Sequence, residues 1–462
     1  MPFPILISAP KGRSGKTTVC ISLALLLKRR GYTVQCFKKG PDYIDPSWLT
    51  AASGRVARNL DPFLFDEETL LGIFHASMEG ADIAIIEGAM GLFDGPFGPF
   101  QGSTSELAKI LGAPVILVVD VERMTYSVAA LLRGFLGFDR EVRIEGVILN
   151  RVSSARHEEK LRSAIESYVG LPVFGAIPKD LHISIKQRHL GLVPFREEER
   201  FDLLGEIERR ISGYIDVDTI IEVCKACETK VRKIEKPPFP DPSFTVGVFF
   251  DRIFHFYYVE NLEALKREGA RLLFIDTLRE RTLPCVDGLY IGGGFPELFL
   301  SELEANRSLR EHIASEIERG LPVYGECAGL MYLCRRIAWK GRTYEMVGTI
   351  DATCEVLERP VGHGYVEVEV VEESPLFPKG MRFLGHEFHY SRIAFHRSPI
   401  FLFRMVRGYG IDGARDGILY KNVFCSYMHM NALANPFWAK GFAHLIKLRK
   451  NKETGGAFLC QR

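Results

Sequence analysis

The chain has 462 residues, 47% hydrophobic and 25% charged, with a formal net charge of +1 at pH 7. Two or three domains fit that length, and so balanced a charge gives no reason to expect nucleic acid or an acidic membrane surface as a partner. No apolar run approaches the ~20 residues of a membrane span, and ten cysteines without framework spacing fit a reducing cytoplasm, the expected location.

The opening MPFPILISAP reads as a first strand, with no basic run before it and no cleavage site after it. Up to residue 195, strand-like runs (PILIS, VQCF, IAII, VILVVD, GVILN, PVFGAIP) alternate with helix-length stretches such as 16–30 and 157–169. This predicts βαβ units and a doubly wound parallel sheet. From 196 a charged stretch predicts peripheral helix, and KPPFPDPS at 236–243 predicts a linker, because proline removes backbone donors. Cys224 and Cys227 read as thiols on that helical segment, since no second pair completes a zinc site. The alternation restarts at TVGVFFD, which predicts a second α/β domain over 244–446 and a tail over 447–462.

PILIS runs into APKGRSGKTT and then a helix. Gly12, Gly15, Lys16, Thr17 and Thr18 are the predicted phosphate cradle for ATP. Lys16 meets the β/γ charge and the Thr17 hydroxyl meets Mg²⁺. Pro10 replaces the usual first glycine. Lys11 stands where some dimeric P-loop ATPases carry a lysine for the partner's nucleotide, which would make the chain a homodimer; a solvated surface lysine would look the same. Acids follow two strands at the edge where such sheets bind ligands: Asp42 and Asp45 in KKGPDYIDP, beside Lys38, and Glu87 and Asp94 in EGAMGLFDG. Their convergence favours metal, with Asp45 and Glu87 as the ligands beside Thr17. Asn150 is placed to read an adenine edge or to cap its strand.

VYGECAGLMYL puts Cys327 at a sharp strand-to-helix turn, the setting of a nucleophile elbow, where a helix N-terminus favours thiolate. The glycine run of LYIGGGFPELF supplies amides for an oxyanion hole, assigned to Gly293 and Gly294. The base is expected among His363, His386, His389 and His429. His429 is favoured because it follows the strand-like VFCSYM.

Together these residues resemble the cobyrinic acid a,c-diamide synthase family along nearly the whole chain. The matching stretches include FKKGPDYIDP, AASGRVARNLD, IEGAMGLFDG, GVILNRVSSARH, IPKDLHISIKQRHLGLVP, FHFYYVENLEAL, YIGGGFPE, YGECAGLMYL and GHEFHYSR. The resemblance implies a dethiobiotin-synthetase-like ATP domain over 1–195 and a flavodoxin-like, triad-type glutamine amidotransferase domain over 244–446. It implies that ATP phosphorylates a carboxylate, that Cys327 and His429 release ammonia from glutamine, and that the ammonia passes through the protein to the acyl phosphate. The implied substrate is a tetrapyrrole, cobyrinate, amidated on its a and c acetates. Lys38, Asp42, Tyr43, Asp94, Tyr257 and Tyr258 would contact it, with Phe254 in the same aromatic run, though such a run equally suits a core. Two departures stand out. Full triads carry an acid two residues after the histidine, where this chain has Asn431, which leaves a Cys–His dyad. That residue, His363 and the Lys38–Lys39 pair look closer to relatives that amidate sirohaem. A contrasting reading is a P-loop ATPase scaffold with a decayed amidotransferase domain, against which the presence of Cys327 and Gly292–Gly294 argues.

Overall fold

The computed structural model describes residues 2–98, 100–181, 185–188, 191–200, 202–227, 232, 234 and 237–454. Part of the IPKDLHISIKQRHLGLVP stretch, at 182–184 and 189–190, lies outside the described residues. The chain divides into two compact units, Met1–Lys236 and Pro237–Arg462, so the division falls within the proline-rich segment.

The first unit is built on seven strands: β1 (Phe3–Ser8), β2 (Val34–Lys39), β3 (Arg58–Leu60), β4 (Ile83–Glu87), β5 (Val115–Asp120), β6 (Ile144–Val152) and β7 (Val173–Pro178). They form one sheet in the order β3-β2-β4-β1-β5-β6-β7, parallel throughout. Every residue of FPILIS in β1 is buried, as a central strand covered on both faces requires. The helices are α1 (Lys16–Arg29), α2 (Ile44–Ser53), α3 (Glu67–Ser77), α4 (Thr104–Leu111), α5 (Ser127–Phe138), α6 (Ala155–Tyr168), α7 (Leu203–Ile211) and α8 (Val217–Lys225). A short hairpin, β8 (Gln187–Arg188) with β9 (Gly191–Leu192), precedes α7. Asp66, Ser103 and Ser154 cap α3, α4 and α6 by accepting a backbone N–H with their side chains.

The expectation of a peripheral helical segment after residue 196 is corrected. Leu203, Ile207 and Ile211 recur every four residues in α7, and with Ile220 and Cys224 of α8 they join Val19, Leu23 and Leu27 of α1 in the core of this unit. The charges of this stretch lie on the outer faces of two amphipathic helices. Cys224 is fully buried, and its thiol is pushed up to about 12 by that burial.

The second unit contains β10 (Phe244–Phe249), β11 (Phe254–Phe256), α9 (Val259–Arg267), β12 (Ala270–Ile275), β13 (Gly288–Ile291), β14 (Gly293–Gly294), α10 (Leu300–Ala305), α11 (Arg307–Glu318), β15 (Val323–Glu326) and α12 (Ala328–Leu333). It continues with β16 (Cys334–Trp339), β17 (Arg342–Glu345), β18 (Ile350–Val356), β19 (Gly362–Val370), β20 (Arg382–His389), β21 (Ser391–Phe395), β22 (Ile400–Arg407), β23 (Arg415–Tyr420), β24 (Val423–Ser426) and α13 (Phe437–Thr454). Its main sheet runs β12-β10-β13-β15-β24-β23-β22-β19-β20. The strands from β12 to β24 pair in parallel and the rest antiparallel, which accounts for the strand-rich sequence of residues 345–430. A four-stranded sheet, β17-β16-β18-β21, lies beside it in sequence. Helix α13 extends through 454, so much of the expected tail is helical and begins inside the core, with Trp438, Phe442 and Ile446 fully buried. No helix among the described residues is long and apolar enough to cross a membrane.

Candidate active sites

In the first unit, the loop between β1 and α1 turns through two left-handed residues, Arg13 at φ 61° and Gly15 at φ 96°. A Cβ at Gly15 would overlap the side chain of Asn150. Asn150 Nδ2 donates to the Ser14 carbonyl at 2.9 Å, and its Oδ1 accepts from Arg151 N at 3.0 Å. Both ends of that amide are thus engaged with backbone, the capping role that the sequence also allowed. Asn150 ties the end of β6 to the phosphate loop. Lys11 is exposed, Gly12 lies against Met90, and the Thr18 carbonyl accepts from Ser22 Oγ at 2.7 Å.

Lys16 is buried and donates to the Met90 carbonyl at 2.6 Å. Burial, followed by the charge of Lys38, lowers its ammonium pKa. Thr17 Oγ1 donates to Glu87 Oε1 at 2.6 Å. Lys38 donates to Asp45 Oδ2 at 2.6 Å and to Glu87 Oε1 at 3.0 Å, with Asp42 Oδ2 at 3.9 Å. Expected substrate and metal residues therefore form one cluster centred on the Lys38 ammonium. Asp42 also holds the first turn of α2, its Oδ1 accepting from Ile44 N and Asp45 N. Burial, despite Lys38, raises Glu87 to about 7, and Glu87 Oε2 is buried without a hydrogen-bond partner. Tyr43 stands at the N-cap of α2, and exposed Asp94 accepts from Gly91 N at 2.9 Å, closing a turn. Among the described residues no group of three or more His, Cys, Asp or Glu is arranged to hold a metal ion.

In the second unit, Cys327 sits between β15 and α12 at φ 50°, ψ −101°, the strained turn expected of a nucleophile elbow. Its amide donates to Ser426 O at 2.8 Å, and its thiol is directed to the Phe388 carbonyl at 3.8 Å. The side chain is buried, and burial pushes the thiol pKa well up. The expectation that the helix N-terminus favours a resting thiolate is thereby corrected. The Ala328 amide does lower it, but desolvation is the larger effect.

His429 lies three residues beyond β24, 3% exposed. Its Nδ1 is 3.3 Å from Glu326 Oε2, and a Cβ added to Gly293 would stand 2.6 Å from its Cε1. Gly293 thus approaches the imidazole. Gly294, at φ 154°, turns where a Cβ would overlap the Ile253 carbonyl. Three other histidines surround or flank the site. The His386 ring stacks on His429 at 5.0 Å and 19° and accepts from or donates to Tyr258 OH through Nδ1 at 3.1 Å. His389 stacks on Tyr427 at 3.7 Å, and exposed His363 meets Phe388 edge-on.

The aromatic substrate expectation is corrected. Phe254, Tyr257 and Tyr258 are all buried. Tyr257 OH donates to Phe249 O and accepts from Gly292 N at 2.8 Å, so it braces the glycine run from inside and offers no face to a macrocycle. Glu326 was missed. Its signal was available, an acid closing an apolar strand as in IAIIE of β4, but its partner lies 103 positions away.

Two family models match the chain. Residues 5–193 match the CobQ/CobB/MinD/ParA nucleotide binding domain, and residues 245–437 match the CobB/CobQ-like glutamine amidotransferase domain. Over 97% of its length the chain is 41% identical to the cobyrinate a,c-diamide synthase of Magnetococcus marinus, covering 99% of that protein. It is 41% identical to the protein of the same name from Archaeoglobus fulgidus, covering 96% of this chain and 98% of that one. The corresponding Listeria innocua protein is 40% identical over 94% of this chain and 97% of its own length. With both domains and near full-length identity in hand, the chain belongs to the cobyrinate a,c-diamide synthase family, enzymes that join a nucleotide-binding domain to a glutamine amidotransferase domain.

Proposed function

We propose that the protein uses ATP to activate the a and c acetates of cobyrinate and glutamine-derived ammonia to amidate them. The observation that carries this reading is the near full-length likeness to relatives named for cobyrinate a,c-diamide synthesis. Two clusters supply the two half-reactions.

In the first unit, Lys16 and the loop amides of Gly12–Thr18 bind the triphosphate and meet charge developing on the transferred phosphoryl group. The oxygen donors of Thr17 and Glu87, with Asp45 beside them, suit a hard cation, and the orphaned Glu87 Oε2 supports that fit. Mg²⁺ held by Thr17, Glu87 and Asp45 would supply positive charge to offset that of the phosphates. Lys38 keeps the carboxylates ordered, and Asn150 keeps the loop in shape.

In the second unit, His429 takes the Cys327 proton as Sγ attacks the glutamine amide carbon, while Gly293 and Gly294 line the oxyanion position. The imidazolium returns the proton to the leaving nitrogen, ammonia departs, and water cleaves the thioester to give glutamate. Ammonia then displaces phosphate from the acyl phosphate to form the amide. The same reading makes the enzyme cytoplasmic, and if the chain pairs with a second copy, exposed Lys11 is available to the partner's nucleotide.

The test is a parallel assay of cobyrinic acid and sirohaem with ATP, Mg²⁺ and glutamine, followed by mass spectrometry and compared as kcat/KM. Cobyrinate should gain two amides and be preferred. A higher kcat/KM for sirohaem would reassign the macrocycle, and no amide on either would favour a scaffold.

A further inference from the structure

We propose that Glu326, the residue directly before the nucleophile, is the acid that orients His429, replacing the acid expected two positions after the histidine. The inference rests on the glutaminase reading of Cys327 and His429.

Asn431 occupies the expected position but is turned to other work. Its Nδ2 reaches Glu260 Oε2 at 3.5 Å, and its Oδ1 accepts from Leu433 N at 2.9 Å. Glu326 approaches the imidazole from the opposite end of the chain segment. Strands β15 and β24 pair in parallel with Glu326 opposite Ser426, so the elbow and the histidine turn emerge together at one sheet edge. That register brings Glu326 Oε2 to 3.3 Å from His429 Nδ1.

The carboxylate is held from several sides. Oε1 accepts from Tyr324 OH at 3.0 Å and Met430 N at 3.3 Å, and Oε2 also accepts from Tyr290 OH at 3.2 Å. Tyr290 OH in turn accepts from Asn261 Nδ2, which also donates to the Met430 carbonyl at 2.7 Å. Glu326 is wholly buried and, among the described residues, is paired with no lysine or arginine; its ionic partner is His429. A buried carboxylate is costly unless a cation or several donors answer it. Here the donors fix its direction and the imidazole supplies the cation each time it takes up the thiol proton.

The other groups facing His429 do not compete. His386, from β20, stacks on it, and burial together with the His429 charge holds His386 well below its usual range, hence neutral. Tyr258, before α9, engages His386 and is fully buried. Cys327 is the proton donor. An Nδ1–H bonded to Glu326 leaves Nε2 basic and facing the Gly293 side, the tautomer a general base needs.

The experiment is steady-state glutaminase kinetics of the full chain with Glu326→Gln, His429→Ala and the double variant, each checked for cooperative unfolding. The expected result for Glu326→Gln is a fall in kcat of ~10²–10⁴-fold with KM for glutamine little changed. In the His429→Ala background, Glu326→Gln should cost nothing further. A kcat within about fivefold of wild type, or an equal loss in both backgrounds, would overturn the proposal and leave the glutaminase reading intact. An inactive wild type, or an active Cys327→Ala, would instead sink the glutaminase reading. Should Glu326→Gln not fold, Glu326→Asp withdraws the charge by one methylene. It should lower kcat by ~10-fold or more, and an unchanged kcat would overturn the proposal.

Discussion

The two buried carboxylates that close β4 and β15 look alike in sequence and differ in how completely they are answered. Glu326 has donors on both oxygens and an imidazole at 3.3 Å. Glu87 shares Oε1 between Thr17 and Lys38 and leaves Oε2 buried with no partner. A site whose hydrogen bonds are complete without ligand is organised for a reaction its own side chains carry out. A site with an orphaned oxygen at a phosphate loop is organised around something that arrives. Burying an unanswered polar atom costs roughly 1–3 kcal/mol, a deficit that a bound cation would remove.

That contrast can be broken most sharply at the nucleophile. Cys327→Ala should abolish glutamine-dependent synthesis while synthesis from high free ammonium continues. Equal loss with both nitrogen donors in a folded variant would show that the two sites do not divide the work. Next in size is Lys38→Met, which strips the cation from the Asp45–Glu87 pair. Leaving the buried Glu87 carboxylate unpaired costs up to about 3–5 kcal/mol, so the denaturant midpoint should drop clearly, and an unaltered midpoint would deny that Lys38 is the structural counter-charge. Lys16→Ala and Glu87→Ala should each reduce synthesis by ~10²–10³-fold from either nitrogen donor, with glutaminase turnover remaining. Near-normal ammonia-dependent rates would place the nucleotide elsewhere.

The smallest effect is one of pH and concerns Asp416, which accepts from Ser426 Oγ, Tyr427 N and Met428 N and so anchors the turn leading to His429. Burial raises its carboxyl from 3.8 to about 6. A folded state that keeps its proton longer than the unfolded chain loses stability as pH rises between those values. Asp416→Asn should flatten that slope in urea titrations from pH 4 to 6, and an unchanged slope would refute the assignment.

Much of this was legible from local sequence. Gly15-Lys16-Thr17 after a buried strand and Cys327 after VYGE are contiguous motifs, and the structure puts both at strand-to-helix turns. The misreadings share a cause: each depends on a partner far along the chain. The bond from Asn150 to Ser14, 136 residues away, is likewise invisible along the chain. FHFYYVEN offered aromatic rings without revealing that Phe249 and Gly292 would enclose Tyr257. Helix α7 looked peripheral because it carries as many charges as apolar residues, although Leu203, Ile207 and Ile211 make a stripe that charge counting hides. The absent acid at 431 was read from spacing along one segment, while Glu326 reaches the same imidazole through strand register.

The depth of the Cys327 thiol has a practical side. Only 6% exposed and held as a thiol by its surroundings, it presents peroxide or maleimide with neither access nor thiolate. Among the described residues the exposed thiol is Cys285, in the loop before β13. Of the described thiols, Cys285 is therefore the one that ageing in air and fluorophore attachment should reach first.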